Sequence, residues 1–276
     1  MTATESIVRD RRVGPGPRRP AVRGDQRRAL IGTASVATFL AVWQAVGSNN
    51  LIRSDLIFYP SQVLATAVSM AATDELGHHA LVSLQELVLG FAPAVALGML
   101  LGLLMGQSRR LRYLLEPAIM AAYATPRIAL IPVLVLWFGI GMESKVAVVF
   151  LGAVFPILVN TLAGVQQIDP LWVRAARAFG AGPLQVMATI LLPGALPAIM
   201  AGLRLGLGRA IIGVIVAEMY VSLAGVGRLL QAYGNAGRTP ELIALGTTTA
   251  LVGVLGVTAL RWVELRVGPW RRELES

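Results

Sequence analysis

Long apolar runs alternate with short polar stretches along this chain, and the lengths of the runs predict its elements. The first run covers about Leu30 to Val46. An amphipathic, more polar segment follows over roughly 49–79, broken at Tyr59-Pro60-Ser61. Further apolar runs occupy about 80–106, 114–138, 145–167, 196–221 and 241–261, with a compact polar stretch over 168–189. A bilayer core of roughly 30 Å is crossed by about 20 apolar residues in a helix, so each run is long enough to span. The pattern predicts an all-α, polytopic membrane protein with six transmembrane helices.

Composition sharpens that picture. Of the 276 residues 55% are hydrophobic and 14% charged, against about a quarter charged in soluble domains. Residues 30–276 therefore read as one membrane domain. Residues 1–29 are polar, carry eight arginines and contain Gly14-Pro15-Gly16-Pro17; too little apolar surface is present to offset ordering, which predicts a disordered tail. The run after it is too long for a signal-peptide core and reads as an uncleaved first helix. With no cysteine in the chain, disulfides, thiolate nucleophiles and Cys-held metals are excluded.

The net charge of +9 is explained by topology rather than by nucleic acid. With six spans and a cytoplasmic N-terminus, the inner segments hold the tail arginines, Arg109, Arg110, Arg112, Arg174, Arg177, Arg261, Arg266, Arg271 and Arg272. Only Arg53, Lys145, Arg228 and Arg238 fall outside. That bias places both termini in the cytoplasm. Gly98, Gly102 and Gly106 share one face of the second span, and Gly202 and Gly206 repeat the spacing in the fifth. Such faces let helices approach closely; packing inside the subunit is the favoured reading over a dimer seam.

The stretch between the fourth and fifth spans carries the strongest local signals. Asp169 suits an N-cap, Pro170 the first helical position and Gly180 the C-terminal cap, predicting a helix of about ten residues. Pro183 can begin a second short helix toward Leu192. Trp172, Ala176 and Phe179 lie on one face, and Arg174 and Arg177 on another. An exposed apolar stripe on such a cytoplasmic helix–turn–helix fits a protein partner or a loop folded against lipid headgroups.

This stretch resembles the cytoplasmic signature of binding-protein-dependent ABC permeases: Glu-Ala-Ala, three residues, Gly, nine residues, Ile, one residue, Leu-Pro. Here Ala175-Ala176, Gly180, Ile190 and Leu192-Pro193 stand in that register, within a stretch that includes Ala181-Gly182, while Arg174 replaces the Glu. Ala124 to Pro132, Leu136 to Gly141, Phe155-Pro156-Ile157, Asn160-Thr161, Ala217-Glu218-Met219 and Gly225-Val226-Gly227 are similar to the nitrate/sulfonate/taurine branch. The resemblance covers most of residues 60–262. It implies a non-catalytic inner-membrane subunit that pairs with a second permease copy, docks on ABC ATPase subunits through a coupling helix, and receives a small solute from an extracytoplasmic binding protein. Trp172, Arg174, Ala175, Ala176, Phe179, Gly180, Ala181, Gly182, Ile190, Leu192 and Pro193 are then the ATPase-coupling residues. ATP would be bound by the partner and no cofactor by this chain.

The remaining chemistry is sparse. No Gly-Lys-Ser/Thr phosphate loop exists, since Lys145 is the only lysine and follows Ser144. The adjacent His78-His79 lack further metal ligands and read as an interfacial loop pair. Charges within spans tend to face a cavity or a partner, which singles out Arg127, Arg204 and Glu218 as candidate translocation-path residues. Arg204 and Glu218 are about 21 Å apart along one helix, too far to pair directly, and structural pairing with a neighbouring helix is the favoured reading over lining the path. Glu218 is expected near the outer end, within reach of water. Arg204 or Arg209 could give a positive pathway suited to anions. A secondary transporter or channel would instead show internal repeats and midplane acids; no repeat is evident, and Glu86 and Glu218 are the acids read as lying within spans beyond their first turn.

Overall fold

The computed structural model describes residues 22–48, 58–72 and 74–267. The chain divides near Pro60 into two compact units. In the first lies α1 (Val22–Ser48), whose window Leu30–Ser48 is apolar enough to span. This helix begins eight residues before the expected boundary, so 22–29 are helical. Residues 1–21 of the expected disordered tail lie outside the described residues.

The second unit contains α2 (Pro60–Ala71), α3 (Asp74–Gln107), α4 (Arg109–Ala124), a short 3-10 turn (Arg127–Leu130), α5 (Ile131–Phe138), α6 (Met142–Gln166), α7 (Pro170–Ala178), α8 (Pro183–Val186), α9 (Leu192–Val221), α10 (Val226–Asn235) and α11 (Thr239–Val267). Among the described residues five helices can span, and six if a bent pair counts as one.

That bent pair corrects an expectation. The run 114–138 is not one straight span: α4 and the segment Arg127–Phe138 meet at 87°. Pro126 forces Thr125 out of the helical region, to φ −67 and ψ 131. Among the described residues of 49–79, α2 starts at Pro60 and α3 at Asp74, which makes His78 and His79 helical rather than a loop pair.

The core is a three-helix stack of α3, α6 and α9, with α6 in the middle. Ala94, Val149, Ala153, Val154, Ile157, Ala210 and Val214 form its centre. In lipid, the hydrophobic effect does little to join helices, so close van der Waals packing has to do so. The two glycine ladders serve that end within this chain. A Cβ at Gly102 would lie 2.6 Å from the Thr161 Cβ, and one at Gly202 would lie 2.8 Å from the Asn160 Cβ. Both faces meet α6. Toward one end, Met105, Leu158 and Leu162 are covered by Leu111, Leu115 and Ile119, which seats α4 on the stack.

Candidate functional site

Three places in the second unit gather the chain's chemistry. The first is the helix–turn–helix of α7 and α8. Asp169 Oδ1 accepts from the Leu171 N–H at 2.8 Å, and Pro170 opens the helix. At the far end Gly180 adopts φ +84, its N–H donating to Arg177 O and that of Ala181 to Ala176 O, both at 3.0 Å. This pair of bonds is a Schellman cap. The Gln185 side chain then accepts from the Gly182 N–H at 2.9 Å, and Gln107 Nε2 donates to Pro183 O at 3.0 Å, tying α3 to the knuckle.

The candidate coupling residues divide into an anchored set and a presented set. Val173, Ala176, Ala181 and Leu192 pack against a buried cluster that includes Val165, Val186, Leu191 and Ala195. Trp172, Ile190 and Pro193 line one hollow beside α7. Phe179 is 92% exposed and Leu184 74%. Ala176 therefore faces inward while Trp172 and Phe179 stay exposed, so the expected stripe is split by depth. Arg174 and Arg177 line a second groove with Arg109 and Arg112, giving this end of the molecule a basic rim. The second helix does not stop at Leu192: α8 passes through a π-helical turn (Met187–Leu191) directly into α9.

The second place is a buried polar cluster at the opposite end of the stack. Lys145 on α6 forms an ion pair with Glu86 on α3, with side chains only 7% and 0% exposed. Lys145 Nζ also donates to Ser222 Oγ at 2.8 Å. Glu218 is fully buried: it accepts from Ser83 Oγ at 2.6 Å and from the Gly227 N–H at 2.7 Å. Glu218 therefore does not reach water from this chain, contrary to expectation, because the turn into α10 closes over it. That turn needs its glycines. Gly225 has φ +119, and a Cβ at Gly227 would collide with Ile215 O. His79 Nδ1 accepts from the Gly225 N–H at 2.7 Å. Among the described residues no cluster of three or more His, Cys, Asp or Glu could hold a metal. The glycine-rich stretch after Gly225 is a helix, α10.

The third place is a cleft of about 310 Å³ at the bend between α4 and α5, bounded by α6 and α9. Arg127 and Arg209 both line it. Arg127 Nη2 donates to Tyr123 O at 3.1 Å, and its guanidinium lies 5.2 Å from the Tyr123 ring centre and 5.7 Å from that of Phe155. Its Nε is buried without a hydrogen-bond partner. Arg209 is exposed on the chain's surface. Arg204, five residues earlier, is instead paired with Glu264 of α11. The sequence grouped Arg127 with Arg204 and Glu218. The structure brings Arg127 to Arg209 instead, a meeting set by the Pro126 bend.

A stack of spanning helices, one bent span and a capped helix–turn–helix at one end define a polytopic α-helical membrane protein. Residues 94–273 match the family model described as binding-protein-dependent transport system inner membrane component, and the chain belongs to that family. It is 32% identical over 254 residues to the taurine transport system permease protein TauC of Escherichia coli (strain K12), covering 90% of this chain and 92% of that one. It is 31% identical over 240 residues to the putative aliphatic sulfonates transport permease protein SsuC of Bacillus subtilis (strain 168), covering 87% of each. In fold it is similar to a chain of the MetNI methionine ABC transporter solved in inward-facing conformations, with a TM-score of 0.54 and 21% identity over 68% of this chain and 92% of that one. The family is one of inner-membrane transport components, and the five to six apolar spans fit that setting.

Proposed function

We propose that this chain is the permease subunit of an ABC importer for a small organic or inorganic anion of the sulfonate, taurine or nitrate kind, working as a pair of permease copies. The α7–α8 knuckle docks on an ATPase subunit that binds and hydrolyses ATP, and this chain carries no cofactor. A solute-binding protein delivers cargo at the outer face, both termini are cytoplasmic, and the chain catalyses no reaction itself.

The observation that carries the reading is Phe179. It is an aromatic side chain 92% exposed, held at the tip of a helix whose two ends are capped. A large apolar group so displayed fits a pocket on a partner. The basic rim of Arg109, Arg112, Arg174 and Arg177 favours an acidic border around that pocket, which accommodates Arg174 where related signatures carry Glu. The substrate class draws on the taurine and sulfonate permeases that the chain resembles.

The test is co-purification with the cognate ATPase. Phe179→Glu leaves folding unchanged, because the side chain touches little of its own subunit, and lowers ATPase association at least tenfold. Retained association and full coupled uptake in that variant would sink the proposal.

A further inference from the structure

The cleft at the α4–α5 bend has features that the family relationship does not explain. Arg209 lies roughly 18 Å along α9 from its end at Val221, which puts it deep within a helix that spans. A guanidinium at that depth is costly against lipid and faces water or protein. Yet Arg209 is exposed on this chain and, among the described residues, has no carboxylate partner. Arg127 enters the same cleft with its Nε–H buried and unmatched. Both guanidiniums border one cleft, and two like charges gathered there favour an anion beside them.

We propose that Arg127 and Arg209 form an anion station within the membrane, which takes the oxyanion head of a sulfonate-type solute while its short tail lies against Ile128, Ile212 and Val216. The station rests on the permease reading given above and adds to it the place where cargo pauses. A planar guanidinium presents paired N–H groups to an oxyanion. Stacking on Tyr123 and Phe155 holds that of Arg127 in place. Gly152 and Gly213 keep the wall free of side chains. A cleft of about 310 Å³ is at the small end of ligand pockets, suited to a compact solute. A lipid phosphate is the poorer occupant, because headgroups lie at the bilayer surface, about 15 Å from its midplane.

The full-length chain in phosphatidylcholine nanodiscs, alone and with its ATPase, is titrated with radiolabelled ethanesulfonate. Saturable binding is expected, displaced by methanesulfonate and not by neutral ethanesulfonamide. Arg127→Gln and Arg209→Gln each weaken it tenfold or more, the corresponding Lys variants retain part of it, and Arg110→Gln, at the inner surface, leaves it unchanged. No saturable binding in the wild type, or binding as tight as the wild type's in both Gln variants, overturns the station. So does loss of binding when phosphatidylglycerol is added to the discs, since the guanidiniums would then hold lipid. ATPase co-purification from the same preparations separates the two ideas. Intact docking without ethanesulfonate binding sinks the station alone, and absent docking in the wild type sinks the permease reading.

Discussion

Lys145 is the chain's only lysine, and its ammonium sits where Glu86 can balance it. Burying either charge alone costs several kcal/mol, whereas a buried pair roughly recovers that cost. Lys145→Met therefore destabilises the chain by about 3–5 kcal/mol, read as a lowered thermal midpoint in detergent. Adding Glu86→Leu recovers most of the loss, because no lone charge then remains. A double variant no more stable than the single one would count against pairing as the cause. Glu218 differs in kind: its oxygens are held by Ser83 and the Gly227 N–H, so its place depends on a turn. Little of this could be read from sequence. Glu86, Lys145 and Glu218 lie on three helices far apart in the chain, and period and composition carry no information on which faces meet. The resemblance in Ala217-Glu218-Met219 and Gly225-Val226-Gly227 marked both partners, but not that they meet.

At the level of elements, the caps of α7 were legible because they depend on near neighbours: Asp169, Pro170 and Gly180 each act within a few residues. The bend between α4 and α5 was not legible. Pro126 was visible, but the apolar run around it looked continuous, and hydropathy does not report direction. The glycine ladders were read correctly as packing faces, which gives a contrast to measure. Gly102→Val drives a side chain into Thr161 and Leu158 and costs at least the roughly 1–3 kcal/mol typical of overpacking. Gly208, also helical, has nothing within 4 Å of an added Cβ; Gly208→Ala leaves stability unchanged or raises it by up to the roughly 0.5–1 kcal/mol that alanine gains in a helix, read as an unchanged or higher thermal midpoint. Equal effects at the two positions would mean that the α3–α6 contact is not close.

For the whole molecule, the arginine distribution and the two ends of the stack make one statement about sidedness. The absence of cysteine makes it directly measurable: single cysteines at Phe179, 92% exposed, and Leu223, 82% exposed, report opposite sides. An impermeant maleimide added to intact cells labels Leu223→Cys and spares Phe179→Cys, and inverted vesicles reverse the pattern. The same pattern from both preparations would refute the proposed topology. The unbroken run from Pro183 to Val221 has a further consequence. With no loop between α8 and the helix bearing Arg209, a push at α8 is not dissipated in slack chain. Under the proposed docking, Arg209 lies about 27 Å along the helix from Leu191, so a few degrees of tilt at its base become a stroke of ångströms at the arginine.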